Sequence, residues 1–158
     1  MGPGWVEETP DERIQRFFNG ARVQITSDRD NHYNCVGHVI GDYERLWSHQ
    51  DDGLSYWPRG IPKGATIDHY SDALGTAGFE PCTSPNLESG FEKIALFEKD
   101  NEFTHVCLLC EDGRWWSKCL VWEDVKHALQ EAVYWYGAPV LFMRRRASGR
   151  LAPPTLRI

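Results

Sequence analysis

Four strand-like segments in the second half of the chain constrain its fold more than any other feature. They are rich in aliphatic and aromatic residues and cover residues 91–99, 104–110, 114–120 and 139–146. The turn Glu111-Asp112-Gly113 is typical of a tight hairpin between the middle two. A further helix is predicted at residues 123–134, before the last strand. This order predicts an α+β fold, in which N-terminal helices pack on an antiparallel meander.

The predicted N-terminal helices begin at capping residues. Thr9 precedes Pro10 in a pattern typical of a helix start, and Thr66 precedes an apolar stripe over residues 67–77. Residues 35–41 read as a short buried helix that ends at a glycine. These helices supply the apolar faces that a sheet needs as a cover.

Size and charge limit the domain organisation and the function classes. The chain has 158 residues with a net charge of −6, which suits one domain, predicted over residues 1–146. Residues 147–158 are predicted to be a loose basic tail, because residues 144–158 hold five arginines and no acid. An acidic body argues against nucleic-acid binding. No apolar run approaches the ~20 residues of a membrane helix, and no secretory signal is visible, so a cytoplasmic protein is expected.

The five cysteines raise the question of metal binding or nucleophilic chemistry. An odd number without an export signal argues against a disulfide framework. A zinc site at Cys107, Cys110, Cys119 and His105 is an alternative, but strand alternation places Cys107 and Cys110 on opposite faces. We therefore predict no metal site and no cofactor.

Cys35 and His105 are the predicted catalytic pair. Cys35 opens an apolar helix, where free backbone N–H groups and the helix dipole favour a thiolate. His105 lies at the beginning of a strand, at an open end where a base is needed. A neutral imidazole that accepts the thiol proton gives the Cys–His activation of acyl-transfer enzymes, and the Cys35 backbone N–H is placed to help hold an oxyanion.

Two residues remain open for the third catalytic position. A tight hairpin at residues 111–113 places His105 opposite Cys119, so that Ser117 shares its face and lies within reach of the imidazole. Asp124 is chemically the better orienting group, but it falls at the start of the predicted helix 123–134, where a carboxylate already has a capping role.

Several motifs resemble an uncharacterised bacterial domain family. They span residues 22–146 and agree in order and spacing. The matching segments are Tyr33–Asp42, Tyr56–Pro62, 90–97, 104–118 and Glu123–His127. The sequence differs from the family at His38, where the family has a tryptophan, and at Val106 and Cys107, where it has small residues.

That family in turn resembles compact papain-like cysteine hydrolases of the cell-wall endopeptidase and amidase branch. The resemblance implies a papain-like core, with Cys35 as nucleophile and His105 as base. It implies a peptide, amide or thioester substrate, and we predict Asn34, His38 and Trp57 as substrate-binding residues. The alternative is a catalytically inactive binding or accessory module on the same fold.

Overall fold

The computed structural model describes residues 8–21, 23–119 and 122–148 of the chain. Helices and strands alternate irregularly along it. In chain order they are α1 (Pro10–Phe17), β1 (Gln24–Ile25), α2 (Cys35–Ile40), α3 (Ile67–Gly75), β2 (Glu80–Cys82), β3 (Phe91–Lys99), β4 (Glu102–Leu109), β5 (Trp115–Lys118), β6 (Asp124–His127), a 3₁₀ helix (Leu129–Ala132), α4 (Val133–Tyr136) and β7 (Ala138–Arg146). Most of the predicted basic tail lies outside the described residues.

The described strands form one antiparallel sheet in the order β1-β6-β5-β4-β3-β7-β2. The first three predicted strands form a meander as β3, β4 and β5, which β6 continues where a helix was predicted. The fourth predicted strand, β7, pairs with β3 on its other side. The α+β class is therefore confirmed. The β4–β5 pairing places Leu108 opposite Trp116 and Leu109 opposite Trp115, which is the register that the predicted hairpin requires.

The predicted helix at residues 123–134 is wrong in its first half. Residues Asp124–His127 form β6, which pairs with β1 on one side and β5 on the other. Only Leu129–Tyr136 are helical, as a 3₁₀ turn followed by a single α turn. Two neighbouring strands with unpaired backbone groups override the local helix pattern, because buried N–H and C=O groups need partners.

Each face of the sheet carries its own hydrophobic cluster. Strand alternation divides them: Ala95 and Phe97 face the first cluster, whereas Ile94 and Leu96 face the second. The first cluster is covered by α1 and α4, and the second by α2 and α3. The N-terminal helices thus pack on both faces of the sheet. No helix in the described ranges combines the length and apolar character needed to cross a bilayer.

Candidate active site

Cys35 is the first residue of α2, and the helix is built by its flanking residues. The Asn34 side chain accepts the Gly37 N–H at 3.3 Å, and Gly41 ends the helix in the left-handed region at φ 90°. Asn34 also donates to the Trp47 carbonyl at 2.7 Å and accepts the Trp47 N–H at 3.2 Å. The predicted helix is confirmed, and Asn34 ties its first turn to the following loop.

Cys35 and His105 line the same cavity, which has a volume of about 310 Å³. It lies where the beginning of α2 meets the beginning of β4. The lining residues are Asn34, Cys35, Val36, Trp47, Ser48, His49, Gln50, Tyr70, Phe103, Thr104, His105 and Tyr136. The structure thus brings the two predicted catalytic residues, and Asn34, to one place.

A chain of hydrogen bonds runs behind the His105 ring. His105 Nε2 lies 2.8 Å from Ser117 Oγ, which lies 2.6 Å from His127 Nε2. His127 Nδ1 lies 2.7 Å from the Ala128 carbonyl oxygen, so it must carry a proton and donate. In a neutral His127, Nε2 then accepts from the Ser117 hydroxyl. Ser117 Oγ in turn accepts from His105 Nε2–H, which leaves His105 Nδ1 as the basic nitrogen.

Burial keeps both histidines neutral. His105 is 1% exposed, and Ser117 and His127 are fully buried. Burial lowers the pKa of His105 well below its ordinary value, and the nearby His127 lowers it further. Burial also lowers the pKa of His127. The His105 ring stacks on Tyr136 at 3.7 Å with the planes 7° apart, which fixes its orientation.

The Cys35 thiol is neutral at rest, contrary to the thiolate that its helix position predicts. Burial raises its pKa to about 11, and hydrogen bonding to the backbone of Val106 and Val36 opposes this only in part. Desolvation is therefore the dominant influence on the Cys35 thiol, in spite of its position in the first turn of α2.

The Cys35 thiol and the His105 ring are not hydrogen-bonded to each other in the structure. Cys35 packs with the second cluster, whereas the His105 ring contacts Phe97 and Tyr136 of the first cluster. The contacts of the described residues include no hydrogen bond between the thiol and the imidazole. The resting structure therefore holds two neutral groups at one cavity.

Asp124 lies away from the His105 ring. On β6 its carboxylate accepts the Tyr33 hydroxyl at 3.1 Å and lies 3.9 Å from both Lys118 Nζ and His38 Nε2. Burial raises its pKa to about 6, although the nearby Lys118 ammonium opposes this shift. Of the two candidates for the orienting position, the structure brings Ser117 to His105, whereas the contacts of Asp124 lie with a separate buried polar cluster.

The structure does not place His38 and Trp57 at the cavity. His38 is fully buried and meets Trp116 edge to face at 4.6 Å. Trp57 donates its indole N–H to the Ile61 carbonyl at 2.9 Å and packs behind Tyr70. Trp57 therefore contacts a lining residue from outside the cavity, and His38 belongs to the buried core beside Trp116.

Metal ligands are not grouped in the described part of the chain, where no three His, Cys, Asp or Glu side chains are arranged to hold an ion. Cys107 and Cys119 are buried as free thiols. Burial raises the pKa of both, which disfavours the thiolate that a metal requires.

Sequence reasoning missed His127 and His49 as site residues. The helix predicted over residues 123–134 gives no reason to place His127 beside His105, although the motif Glu123–His127 contains it. His49 lies in an irregular segment and carries no motif. Only the folded chain shows that one lies behind the His105 ring and the other lines the cavity.

Together, the fold and this cavity define an α+β domain with a half-buried cysteine and a buried histidine where a helix meets the sheet. The chain belongs to the family described as Domain of unknown function (DUF7689), whose model matches residues 24–144. Comparisons with curated proteins and with solved structures give no significant match.

Proposed function

We propose that this protein is a thiol-dependent acyl-transfer enzyme, a hydrolase or acyltransferase acting on a peptide, amide or thioester. The observation that carries the proposal is the shared cavity. Cys35 and His105 line it together, and the hydrogen bonds behind His105 leave Nδ1 as its basic nitrogen. The order of a cysteine on a helix followed by a histidine on a strand also supports the resemblance to papain-like hydrolases.

Cys35 is the nucleophile and His105 the base in the proposed reaction. Cys35 Sγ attacks the substrate carbonyl carbon while the thiol proton passes to His105 Nδ1. The tetrahedral intermediate collapses, the leaving amine or thiol takes that proton, and an acyl thioester remains on Cys35. Water or an amine then attacks the thioester and releases Cys35, with His105 again transferring the proton. In the proposed reaction, the Cys35 backbone N–H helps to stabilise the oxyanion.

The neutral states of Cys35 and His105 determine the first step of the proposed reaction. A thiol with a pKa of about 11 is not a nucleophile by itself near neutral pH, so the proton transfer must accompany the attack. Catalytic hydrogen bonds often tighten only with substrate bound. We infer that a bound acyl group completes the contact between Cys35 and His105.

The test is the formation of an acyl-enzyme. The protein is incubated with aryl-ester, thioester and peptide-amide acyl donors, and intact mass and peptide mapping locate any adduct. The proposal predicts acylation at Cys35 that is lost in Cys35→Ala and kept in Cys82→Ala, a matched variant at a half-buried cysteine outside the cavity. Acylation at other cysteines only, or an unchanged rate in Cys35→Ala, would contradict the proposal.

A non-catalytic binding module is the second candidate. The observation that favours it is the raised pKa of Cys35, together with the absence of a thiol–imidazole hydrogen bond among the described residues. Such a module binds acyl compounds reversibly and forms no adduct with any donor. The same experiment therefore separates the two candidates.

A further inference from the structure

The residues that line the cavity at Cys35 carry no fixed charge. Among its twelve lining residues there is no aspartate, glutamate, lysine or arginine. A charged group that packs against this lining loses part of its hydration and gains no ion pair, which costs free energy relative to an uncharged group of the same shape. The cavity therefore favours an uncharged group.

The volume of the cavity limits the size of that group. Pockets for small molecules range over roughly 300–1,000 Å³. At about 310 Å³, this cavity is at the lower end, so it accommodates one residue-sized group rather than an extended chain.

Tyr70 and His49 form a fixed polar pair on this wall. The Tyr70 hydroxyl accepts the His49 backbone N–H at 3.3 Å and lies 2.8 Å from His49 Nδ1. The Tyr70 ring is held in place, because it stacks on Phe103 at 3.8 Å and meets Trp57 edge to face at 5.0 Å. Burial raises the pKa of Tyr70, although hydrogen bonds from the His49 backbone and the Ser48 side chain oppose this shift, so the hydroxyl keeps its proton near neutral pH.

The direction of the hydrogen bond between Tyr70 and His49 Nδ1 sets which form of Nε2 a ligand meets. When Nδ1 accepts from Tyr70, a neutral imidazole carries its proton on Nε2. His49 is half-buried and lines the cavity, and its Nε2 has no hydrogen-bond partner among the described residues. With Nδ1 as the acceptor, the cavity combines a donor at His49 Nε2 with the thiol at Cys35.

We infer that the His49–Tyr70 pair is a specificity element, selecting an uncharged, residue-sized acyl group that presents a carbonyl oxygen to His49 Nε2–H. The carboxamide of a glutaminyl group fits this description, and the carboxylate of a glutamyl group does not, because no fixed cation meets it. The inference rests on the proposed function for the reaction at Cys35, but the recognition itself does not require catalysis.

The first test compares isosteric acyl donors. N-acetyl-glutaminyl and N-acetyl-glutamyl thioesters have nearly the same shape and differ in charge. The rate of Cys35 acylation is expected to favour the glutaminyl donor by at least about tenfold, equivalent to ~1.4 kcal/mol. In Tyr70→Phe, which keeps the ring and removes the hydroxyl, this preference should fall at least about threefold. Tyr134→Phe, a matched change at an exposed tyrosine, should leave the preference unchanged.

The second test separates this inference from the proposed function. Binding of N-acetyl-glutamine amide and N-acetyl-glutamate amide to Cys35→Ala is followed by NMR chemical shifts of the His49 ring. Binding of the glutamine amide alone supports the inference even if no donor acylates the protein, in which case only the catalytic proposal fails. Equal binding of both amides, binding of neither, or a preference unchanged by Tyr70→Phe overturns the inference.

Discussion

Replacing Ser117 by alanine tests the hydrogen-bond chain behind His105. The Ser117 hydroxyl is fully buried and contacts two imidazole nitrogens, His105 Nε2 at 2.8 Å and His127 Nε2 at 2.6 Å. Its removal leaves one buried donor and one buried acceptor without partners. At about 1–3 kcal/mol for each of the two unsatisfied groups, the variant should lose roughly 2–6 kcal/mol of its free energy of unfolding.

The measurement is urea unfolding followed by tryptophan fluorescence, with Ser55→Ala as the matched control. Ser55 makes its hydrogen bond to Asp52 at the surface, so its loss should cost less than about 0.5–1 kcal/mol. A Ser117→Ala variant as stable as the Ser55→Ala control would refute the coupling of the three buried side chains.

A second readout of Ser117→Ala reports on the His105 tautomer. Nitrogen-15 NMR of the imidazoles should show a proton on His105 Nε2 in the unmodified protein, because Nε2–H donates to Ser117. The alanine variant should show both tautomers. The same mixture in the unmodified protein would mean that Ser117 does not fix the basic nitrogen.

Three further predictions concern α2, the buried carboxylate and the thiol. Gly37→Ala should cost about 1–3 kcal/mol of stability in thermal unfolding, because a Cβ there would lie 2.5 Å from the Asp42 carbonyl oxygen. The control Gly75→Ala, where a Cβ meets open space, should be neutral or stabilising. Equal effects of the two substitutions would contradict this packing. For Asp124, the folded pKa of about 6 exceeds the ordinary 3.8, so its contribution to stability is complete below pH 3.8 and is lost as the pH rises through 6. The stability difference between the unmodified protein and Asp124→Asn should therefore fall by about 3 kcal/mol from pH ~3 to ~7, and a constant difference would exclude the raised pKa. Iodoacetamide should alkylate Cys35 at a rate that keeps rising toward pH 11, and a plateau near neutral pH, read by peptide mapping, would show a resting thiolate instead.

The strands that the sequence predicts well are those with strong local signals. Residues 91–99 form β3 with the predicted bounds, because the apolar stretch Ile94–Phe97 lies in a segment that turns bound on both sides. The caps Thr9 and Thr66 likewise begin their helices as predicted, since a hydroxyl that accepts a free N–H acts locally.

The elements that the sequence does not predict depend on distant partners. Strand β6 exists because β1 and β5 hydrogen-bond to it, and β1 is about a hundred residues away in the chain. Strand β2 contains Pro81 and forms only through its pairing with β7 at the edge of the sheet, where proline is tolerated.

The residues of the candidate site likewise include some that a local pattern predicts and others that depend on tertiary packing. Ser117 was predicted beside His105 from hairpin register, a local property, and the structure places it there. The neutral state of Cys35 could not be predicted, because helix position shows the dipole and not the burial that outweighs it. His49 and Tyr70 meet only through tertiary packing, and no pattern in the sequence joins them.

The most direct test of the role of His105 is the rate of Cys35 acylation at neutral pH in His105→Gln. Loss of a general base typically lowers such a rate by about 10²–10⁴-fold. We expect a loss of this size in His105→Gln and none in His32→Gln, a matched change at a histidine whose side chain is 73% exposed. Acylation of Cys35 by His105→Gln at the rate of the unmodified protein would show that His105 does not activate the thiol.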